Sequence, residues 1–400
     1  MRILHTSDWH VGRTIRGRSR AAEHQAVLAE IVRIAGEEAV DLVLVAGDQF
    51  DTAAPTPEAE RIVYRALSDL TATGAQVVVV SGNHDNPARL AAVTPLLAAS
   101  RVHVGALLAR PEEGGVATVT TDAGETARIA LLPFLSQRAI VRADDLMALH
   151  ADQHAGQYAA RATAIIAALS AGFRTDAVNL AAAHLMVAGG TMGGGERSAH
   201  TIFDYCIAAT AFPESAHYVA LGHLHRLQQV PAACPVWYSG SPLQLDFGET
   251  QDTKAVLVVD ASPGAPAEVR QFELTEGRRL RTLRGSLEQL QAQAGTTGED
   301  YLRVVVRGQA RVGLAEQVRE WFPDAVDVIV EAPEAVGADI ETPSRIGRSP
   351  AELFSEYLAS HGGTDDRVLA LFAELFDEVS SVDTSSVDPS PAGFSPVGRG

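Results

Sequence analysis

Short apolar runs alternate with longer segments of helical periodicity over the first two thirds of the chain. Runs of strand length occupy Arg2–His5, Leu42–Ala46, Val77–Ser81, Ile129–Pro133, Val178–Ala183 and Tyr218–Leu221. Apolar residues at helical spacing between them predict helices over about Ala22–Val40, Pro57–Thr73 and Gln153–Gly172. This alternation predicts an α/β fold with a layered sheet. Three further strands, Val236–Ser239, Ala255–Asp260 and Glu268–Leu274, have no long helix between them, so the sheet should be mixed.

The pattern changes near Glu276. A small α+β unit is predicted from a helix, a strand, a helix and a strand at Leu283–Ala294, Leu302–Arg307, Gly313–Phe322 and Ala325–Glu331. Pro333–Ser349 is predicted to be a linker. Two amphipathic helices are predicted after it, at Pro350–Ser360 and Asp365–Val379. The tail Ser380–Gly400 is rich in Ser, Pro, Gly and Asp and is predicted to be disordered. The predicted domain ranges are therefore 1–276, 277–338, 339–380 and 381–400.

Composition narrows the class of protein. The chain has 400 residues, enough for two or three domains, and its 46% hydrophobic and 20% charged content is typical of a folded globular protein. Its 32 basic and 50 acidic side chains give a net charge of −18, which argues against a protein that coats DNA through Lys and Arg alone. Two cysteines exclude a disulfide framework. No apolar run has the length of a signal peptide or a membrane span, so we expect a cytoplasmic protein.

The residues that could bind a ligand or catalyse a reaction lie directly after the predicted strands, where ligands bind in α/β folds. Five clusters occur in this order: Asp8-Trp9-His10, Gly47-Asp48-Gln49-Phe50-Asp51, Gly82-Asn83-His84-Asp85, His184 and Gly222-His223-Leu224-His225. Each cluster alone also fits a tight turn, a helix cap or a core histidine. Together they supply carboxylate, imidazole and amide ligands without thiolate, a set that suits manganese or iron, with zinc as a further candidate.

These motifs resemble those of the calcineurin-like metallophosphoesterase superfamily, which uses two metal ions. The segments Ser7–Arg13, Gly47–Thr52, Gly222–His225 and Tyr238–Pro242 resemble the SbcD branch, the nuclease subunits of bacterial SbcCD complexes and relatives of the Mre eleven nucleases. The likeness extends to about residue 380; the Arg110–Glu125 region matches no motif. The resemblance implies a layered metallophosphoesterase β-sandwich flanked by helices, a small α+β capping domain that binds DNA, and C-terminal helices.

The resemblance also implies ligands. Asp8, His10 and His225 would hold one ion, Asn83, His184 and His223 the other, and Asp48 would bridge the two. The implied cofactors are two divalent ions, with manganese favoured and magnesium, iron and zinc as alternatives. Two divalent ions outweigh the charges of the two aspartates and leave positive charge facing a phosphodiester.

His84 is not needed as a ligand if Asn83 is one. It can donate to the leaving sugar oxygen or stabilise the charged transition state, and Asp85 beside it is a candidate for orienting it. Asp51 fits either a support for a ligand or a simple turn cap.

A basic stretch with Arg13, Arg16, Arg18 and Arg20 follows the first cluster and fits either DNA-backbone contact or a solvated loop. The segment Gly189–Gly195 after His184 is predicted to be a flexible loop, and it lacks the Lys-Ser/Thr of a nucleotide-binding P-loop. ATP dependence would therefore come from a partner. The resemblance implies an SbcC-type coiled-coil ATPase in a heterotetramer, with this chain self-associating as a dimer.

The C-terminal helices carry apolar stripes of Leu353, Phe354, Tyr357 and Leu358, and of Val368, Leu371, Phe372, Leu375 and Phe376. The resemblance implies that they dock onto the ATPase; the alternative is a hairpin that folds back on its own domain.

The expected function is that of a metal-dependent DNA nuclease acting as part of a complex. As the resemblance implies, it would be nucleoid-associated and would act in repair, replication and recombination. It would cut double-stranded ends exonucleolytically, and single strands or hairpins endonucleolytically. A phosphoesterase for small molecules or proteins is the alternative, but such an enzyme has no need of the region after Glu276. A non-catalytic docking module would require damaged ligands, and none is damaged.

Overall fold

The computed structural model describes residues 1–136, 140, 158–196, 206–331, 350–360 and 366–379. These belong to two units, Met1–Ile340 and Glu341–Gly400. The predicted linker, the predicted disordered tail and the start of the predicted Gln153–Gly172 helix lie outside the described residues.

The strands of the first unit are numbered in chain order. They are β1 (Arg2–Thr6), β2 (Thr14–Ile15), β3 (Arg18–Ser19), β4 (Leu42–Val45), β5 (Gln76–Val80), β6 (Val102–Gly105), β7 (Val116–Thr120), β8 (Thr126–Leu132), β9 (Val178–His184), β10 (Met186–Val187), β11 (Cys206–Ile207), β12 (Tyr218–Gly222), β13 (Gln228–Val230), β14 (Val236–Tyr238), β15 (Ala255–Ser262), β16 (Ala265–Glu273), β17 (Leu280–Gly285), β18 (Tyr301–Arg307) and β19 (Ala325–Glu331). Its helices are α1 (Ala21–Glu37), α2 (Pro57–Ala72), α3 (Pro87–Ala98), α4 (Tyr158–Ser170), α5 (Leu287–Gln291) and α6 (Leu314–Trp321).

Two sheets form the body of this unit. In the described part of the chain each has six strands, in the orders β16-β15-β1-β4-β5-β6 and β13-β14-β12-β9-β8-β7. Strands β1, β4, β5 and β6 run parallel in the first sheet, as do β14, β12, β9 and β8 in the second. Strands β15 and β16, and the edge strands β13 and β7, pair antiparallel. Both sheets are mixed, as predicted.

The two sheets pack face to face through an apolar layer that includes Leu44 and Val80 from one sheet and Ile129 and Leu180 from the other. Helices α1, α2 and α3 cover the outer face of the first sheet, and α4 covers that of the second. Strands buried on both faces have no solvent side, so they appear in the sequence as unbroken apolar runs. The predicted layered α/β sandwich is confirmed.

The region from β17 to β19 forms a three-stranded parallel sheet with its own apolar cluster. The predicted helix over Leu283–Ala294 is wrong in its first part, because Leu283 lies in β17 and pairs with β18. Helix α5 begins only after Ser286, whose side chain accepts from the backbone N–H of Gln289 in a capping box. The cap therefore sets the helix start, and the apolar spacing alone did not show it.

The sequence pattern also missed elements. Helix α3 was not predicted, although Asn86 caps it and Pro87 occupies its first turn. Strands β6 and β7 were missed too, and β7 lies in the Arg110–Glu125 region that matches no motif. Both are strands at the edge of their sheets, where partial exposure interrupts the apolar pattern.

The second unit contains α7 (Pro350–Ser360) and α8 (Asp366–Val379), close to the predicted bounds. The rings of Phe354 and Phe372 stack with centroids 4.1 Å apart, so the two helices pack on each other as a hairpin. Tyr357 and Leu371 remain more than half exposed. Leu375 lies in α8, and its side chain is outside the described residues. Among the helices that the structure describes, none has the length and apolar content needed to cross a membrane.

Candidate metal centre

The predicted ligands come from neighbouring strand ends of both sheets. Asp8 and His10 follow β1, Asp48 follows β4, Asn83 follows β5, His184 ends β9, and His223 and His225 follow β12. Because these strands are parallel within each sheet and the sheets are stacked, all seven side chains meet at one edge of the sandwich.

The backbone at this edge is strained. Asp8, His10, Asp48 and His223 have φ angles of 52°, 47°, 52° and 105°, a region that residues with side chains rarely adopt. Hydrogen bonds across the two loops stabilise it: the N–H of Asp8 donates to the carbonyl of Gly47, and that of His10 donates to the carbonyl of Asp48, both at 3.0 Å. Such strain collects at functional sites.

Asp8, His10 and His225 form the first donor set. One donor atom from each lies within 4.8 Å of the others, and all three side chains are buried. Nε2 of His10 is 3.2 Å from Nε2 of His225. Both oxygens of Asp8 accept the backbone N–H of His223, which fixes the carboxylate against the second sheet.

Asn83, His184 and His223 form the second donor set. Oδ1 of Asn83 is 2.9 Å from Nε2 of His184 and 2.9 Å from Nδ1 of His223. Nδ1 of His184 is 2.9 Å from the carbonyl of Ala46, which only accepts, so Nδ1 carries the ring proton. Nε2 of His184 then presents a lone pair to the oxygen of Asn83. Two acceptors facing each other in this way fit a bound cation.

Asp48 lies between the two sets. Its Oδ2 is 3.5 Å from Nε2 of His10 and 3.5 Å from Nε2 of His184, one histidine of each set. Its Oδ1 accepts the backbone N–H of His84 at 2.8 Å. A Cβ on Gly82 would lie 2.0 Å from Oδ1 of Asp48, so only glycine fits there. This is the position that a bridging carboxylate needs; the individual ligand roles remain predictions.

Burial sets the charge of these groups in the absence of an ion. It raises the pKa of Asp8 to about 7, lowers the pKa of His10 to about 4, and lowers the pKa of His184 well below its usual value. Neutral imidazoles have the lone pairs that ligation requires, and a divalent ion would favour the ionised aspartates. The donor set therefore fits two divalent cations.

His84 stands at the edge of this cluster. Its Nδ1 is 2.7 Å from the carbonyl of Asp51, and its ring meets that of His10 edge-on with centroids 4.5 Å apart. One of its nitrogens also lies within 4.8 Å of donor atoms of His10 and Asp48, so distance alone permits a ligand role. Its assignment as a non-ligand acid remains a prediction.

Asp85 forms hydrogen bonds with the loops that carry Asp48 and Asn83. Its carboxylate accepts backbone N–H groups from Gly82 at 2.8 Å, Phe50 at 3.0 Å and Gln49 at 3.3 Å. Burial raises its pKa to about 6. The carboxylate thus joins the loop of Asp48 to the loop of Asn83, and its role in orienting His84 stays a prediction.

Asp51 lies beside His10 and Arg13. Its Oδ1 is 3.5 Å from Nδ1 of His10 and 3.1 Å from Nη1 of Arg13. Burial raises the pKa of Asp51, but the interactions with His10 and Arg13 outweigh it and leave the pKa well below its usual value. Of the two roles left open for Asp51, this contact favours support of a ligand. Arg13 is engaged here, beside the centre.

The rest of the basic stretch contacts the small α+β module. Strands β2 and β3 form a hairpin in which Arg16 pairs with Asp327 at 3.0 Å and Arg18 with Asp324 at 3.2 Å. The side chains of Arg16 and Arg18 are about half exposed. Contact with DNA therefore remains a prediction for both.

Arg20 is not available to DNA. Its side chain is fully buried, pairs with Glu23 at 2.7 Å, and donates to the carbonyl of Gln244. The interpretation of Arg20 as a DNA contact is wrong, because its guanidinium is buried. Its contacts with Glu23 and Gln244 connect the start of α1 to the segment before the α+β module.

Sequence reasoning missed one further pair of residues at the centre. Glu249 accepts from Nδ1 of His225 at 3.0 Å and pairs with Lys254 at 2.7 Å. Lys254 is the only lysine of the chain, and this was the one sequence feature that could have drawn attention to the pair. A single lysine in the sequence does not indicate which carboxylate it contacts.

The chain is similar to known protein families and to curated relatives. The model of the calcineurin-like phosphoesterase family matches residues 1–157, and that of the type 5 capsule protein repressor C-terminal domain matches residues 276–362. The chain is 39% identical over 284 residues to SbcD of the nuclease SbcCD from Bacillus subtilis, covering 70% of this chain and 71% of the relative. It is 38% identical to SbcD of Rhodobacter capsulatus, covering 66% and 67%, and 32% identical to SbcD of Escherichia coli K12, covering 73% of each.

Asp48→Ala removes the carboxylate shared by both donor sets. We expect the purified variant to lose both manganese equivalents, measured by elemental analysis after dialysis, while its circular dichroism spectrum stays unchanged. His84→Ala is the matched control, since it should keep both ions and lose ~10²–10⁴ in rate as an acid would. An Asp48→Ala protein with full metal content would contradict the bridging role, and a His84→Ala protein lacking one ion would make His84 a ligand.

Arg20→Ala should lower the free energy of unfolding by about 3 kcal/mol, because the largely buried carboxylate of Glu23 loses its charged partner and keeps neutral donors such as the backbone N–H of Arg278. Arg16→Ala removes an exposed pair and should cost less than about 1 kcal/mol. Urea unfolding of the two variants checks this. Equal effects from both substitutions would show that burial does not distinguish the two arginines.

Proposed function

Because this chain belongs to the SbcD family of nucleases, we propose that it is the metal-dependent nuclease component of an SbcCD-type complex. It would hydrolyse phosphodiesters of DNA, cutting double-stranded ends exonucleolytically and single strands or hairpins endonucleolytically. Its role would lie in DNA repair, replication and recombination, at the nucleoid.

One observation supports this proposal above the others: two donor sets, each containing two buried histidines, meet on either side of Asp48. A pair of divalent ions held there would supply Lewis-acid stabilisation of the phosphoryl oxygens and would lower the pKa of the attacking water. Asp8, His10 and His225 would hold one ion, Asn83, His184 and His223 the other, and Asp48 both.

The protein's own groups complete the chemistry. Nδ1 of His84 donates to the carbonyl of Asp51, which leaves Nε2 as the ring atom that can transfer a proton. We assign the protonation of the leaving sugar oxygen to the imidazolium form of His84, which carries a proton on both nitrogens, gives up the proton at Nε2 and returns to the neutral ring. Asp85 keeps the loop that carries His84 in register with the loop of Asp48.

Manganese is the ion we favour. Oxygen and imidazole donors without thiolate suit manganese, and also magnesium, iron or zinc, according to availability. The protein carries a net charge of −18, so its attraction for DNA would rest on these ions, on local arginines and on a partner.

We assign DNA contact to the module of residues 277–338 and to the hairpin that meets it. Arg16 and Arg18 stand at this junction, each paired with an aspartate of the module and each about half exposed. A phosphate oxygen can replace a surface carboxylate as the partner of an arginine at little cost, since exposed ion pairs contribute little.

The C-terminal helix hairpin is the surface that we assign to an SbcC-type coiled-coil ATPase. Phe354 and Phe372 hold the hairpin together, while Tyr357, Val368 and Leu371 stay exposed. Apolar side chains left exposed on a two-helix unit suit helix-in-groove docking. Leu353 and Leu375 are further predicted contacts. The assembly would be a heterotetramer in which this chain is present as a dimer.

The enzyme class can be tested by substrate preference. With manganese and the ATPase partner present, a DNA hairpin should be cut at a far higher kcat/KM than a chromogenic phosphomonoester, because DNA-binding energy positions the scissile phosphate. Asp48→Ala, which should cut neither substrate, identifies contaminating nuclease. The reverse preference would favour a phosphoesterase for small molecules or proteins.

Truncation before Pro343 tests the docking surface. The shortened protein should retain manganese binding and cleavage of simple substrates, because the ligands all precede residue 226. It should lose co-purification with the ATPase and any stimulation by ATP. Leu371→Ser in the full chain is the finer variant, since Leu371 is exposed and its loss should not unfold the hairpin. Undiminished capture of the partner by both variants would place docking elsewhere.

A further inference from the structure

The single lysine of the chain is buried beside the candidate metal centre. Lys254 is 8% exposed, and its ammonium group donates to Oε2 of Glu249 at 2.7 Å, to Oγ of Ser241 at 2.9 Å and to the carbonyl of His225 at 3.1 Å. Its three N–H donors are therefore matched by three acceptors. An isolated charge is costly to bury, so a buried lysine with all its donors matched indicates a specific structural role.

Glu249 connects this lysine to the first donor set. The residue is fully buried, Oε1 is 3.0 Å from Nδ1 of His225, and Oε2 also accepts the backbone N–H of Leu245 at 3.0 Å. The ammonium group of Lys254, 2.7 Å from Oε2, supplies the counter-charge of this buried carboxylate.

This contact determines which nitrogen of His225 faces the centre. The carboxylate accepts the proton at Nδ1, so Nε2 carries the lone pair, 3.2 Å from Nε2 of His10. A carboxylate behind a ligating histidine fixes its ring and increases its basicity as a ligand.

The second donor set is supported differently. Nδ1 of His184 donates to the carbonyl of Ala46, a neutral backbone group. The second set also contains an amide, Asn83, where the first contains a carboxylate, Asp8. Both differences give the first set the stronger attraction for a cation.

The glycine-rich segment after His184 covers this contact. A Cβ on Gly195 would lie 2.6 Å from Oε1 of Glu249 and 2.8 Å from Nδ1 of His225, so a larger residue would force the two apart. Glu196 accepts the backbone N–H of His225 at 3.1 Å and those of Gly193 and Gly194 at 2.7 Å. This segment, which the sequence predicts to be a flexible loop, packs closely against Glu249 and His225.

We propose that Glu249 and Lys254 form an ionised brace that positions His225 and makes the set of Asp8, His10 and His225 the tighter of two metal sites. Glu249 and Lys254 are positioning residues in this scheme, and the glycine segment shields their contact from water. The inference rests on the proposed two-ion function.

The test is calorimetric titration of manganese into the metal-free full-length protein, with metal content checked by elemental analysis. The wild type should show two sites of unequal affinity. Glu249→Gln keeps the size of the side chain but removes its charge. It should weaken the tighter site ~10–100-fold and leave the other unchanged. Glu58→Gln, which removes an exposed carboxylate from α2, is the matched control and should change neither site.

Two further variants separate positioning from folding. Lys254→Met leaves the carboxylate of Glu249 without its counter-charge and should lower the Tm. Combining it with Glu249→Gln removes both charges, so the Tm should recover while the tighter site stays weak. Gly195→Ala alters no charged group, yet it should weaken the same site because its Cβ intrudes between Glu249 and His225.

The outcomes distinguish the two proposals. A wild type that binds no metal overturns the proposed function and this inference together. Two manganese sites that Glu249→Gln and Gly195→Ala leave unchanged overturn the brace alone, as does weakening of the site that contains Asn83. Recovery of metal affinity together with Tm in the double variant would reduce the pair to a purely structural role.

Discussion

Lone pairs that point at one another at a buried edge are the constraint on which the rest of this structure depends. Nε2 of His184 faces Oδ1 of Asn83, and Nε2 of His10 faces Nε2 of His225, all within hydrogen-bond distance. A divalent cation bound between these donors would be shared by their lone pairs. Burial lowers the pKa of His225, but the carboxylate of Glu249 outweighs it and raises the pKa, so a proton can join His225 to His10 when no cation is bound. The surrounding fold holds the donors in place in either state.

The two stacked sheets supply that rigidity. Strand ends from both sheets carry the ligands, and the loops after them adopt strained conformations that cross-loop hydrogen bonds maintain. Asp85 joins two of these loops through three backbone N–H groups. Glycine is required where loops meet most closely: a Cβ on Gly47 would lie 2.1 Å from Nδ1 of His184. The glycines of the G-D and G-N-H-D motifs thus serve the packing between loops as much as the turns.

Charge is used locally in this acidic protein. Each arginine of the basic stretch has a carboxylate partner: Arg13 supports Asp51 beside the centre, Arg16 and Arg18 reach the α+β module, and Arg20 is buried against Glu23. The stretch joins the sandwich to the module that follows it. Lys254 is used similarly, as the counter-charge of a carboxylate that supports a ligand.

The sequence by itself determined the layered α/β class, because doubly buried strands are unbroken apolar runs, and it indicated that the seven predicted ligands follow directly after such strands. It also determined the C-terminal helices, whose apolar stripes are local signals. Only the tertiary structure decided what depends on residues distant in the chain: the burial of Arg20 by Glu23 and the carbonyl of Gln244, and the support of His225 by Glu249 and Lys254. Local patterns specify backbone conformation and burial, whereas the partner of a buried charge is set by which strands pair and how the sheets stack.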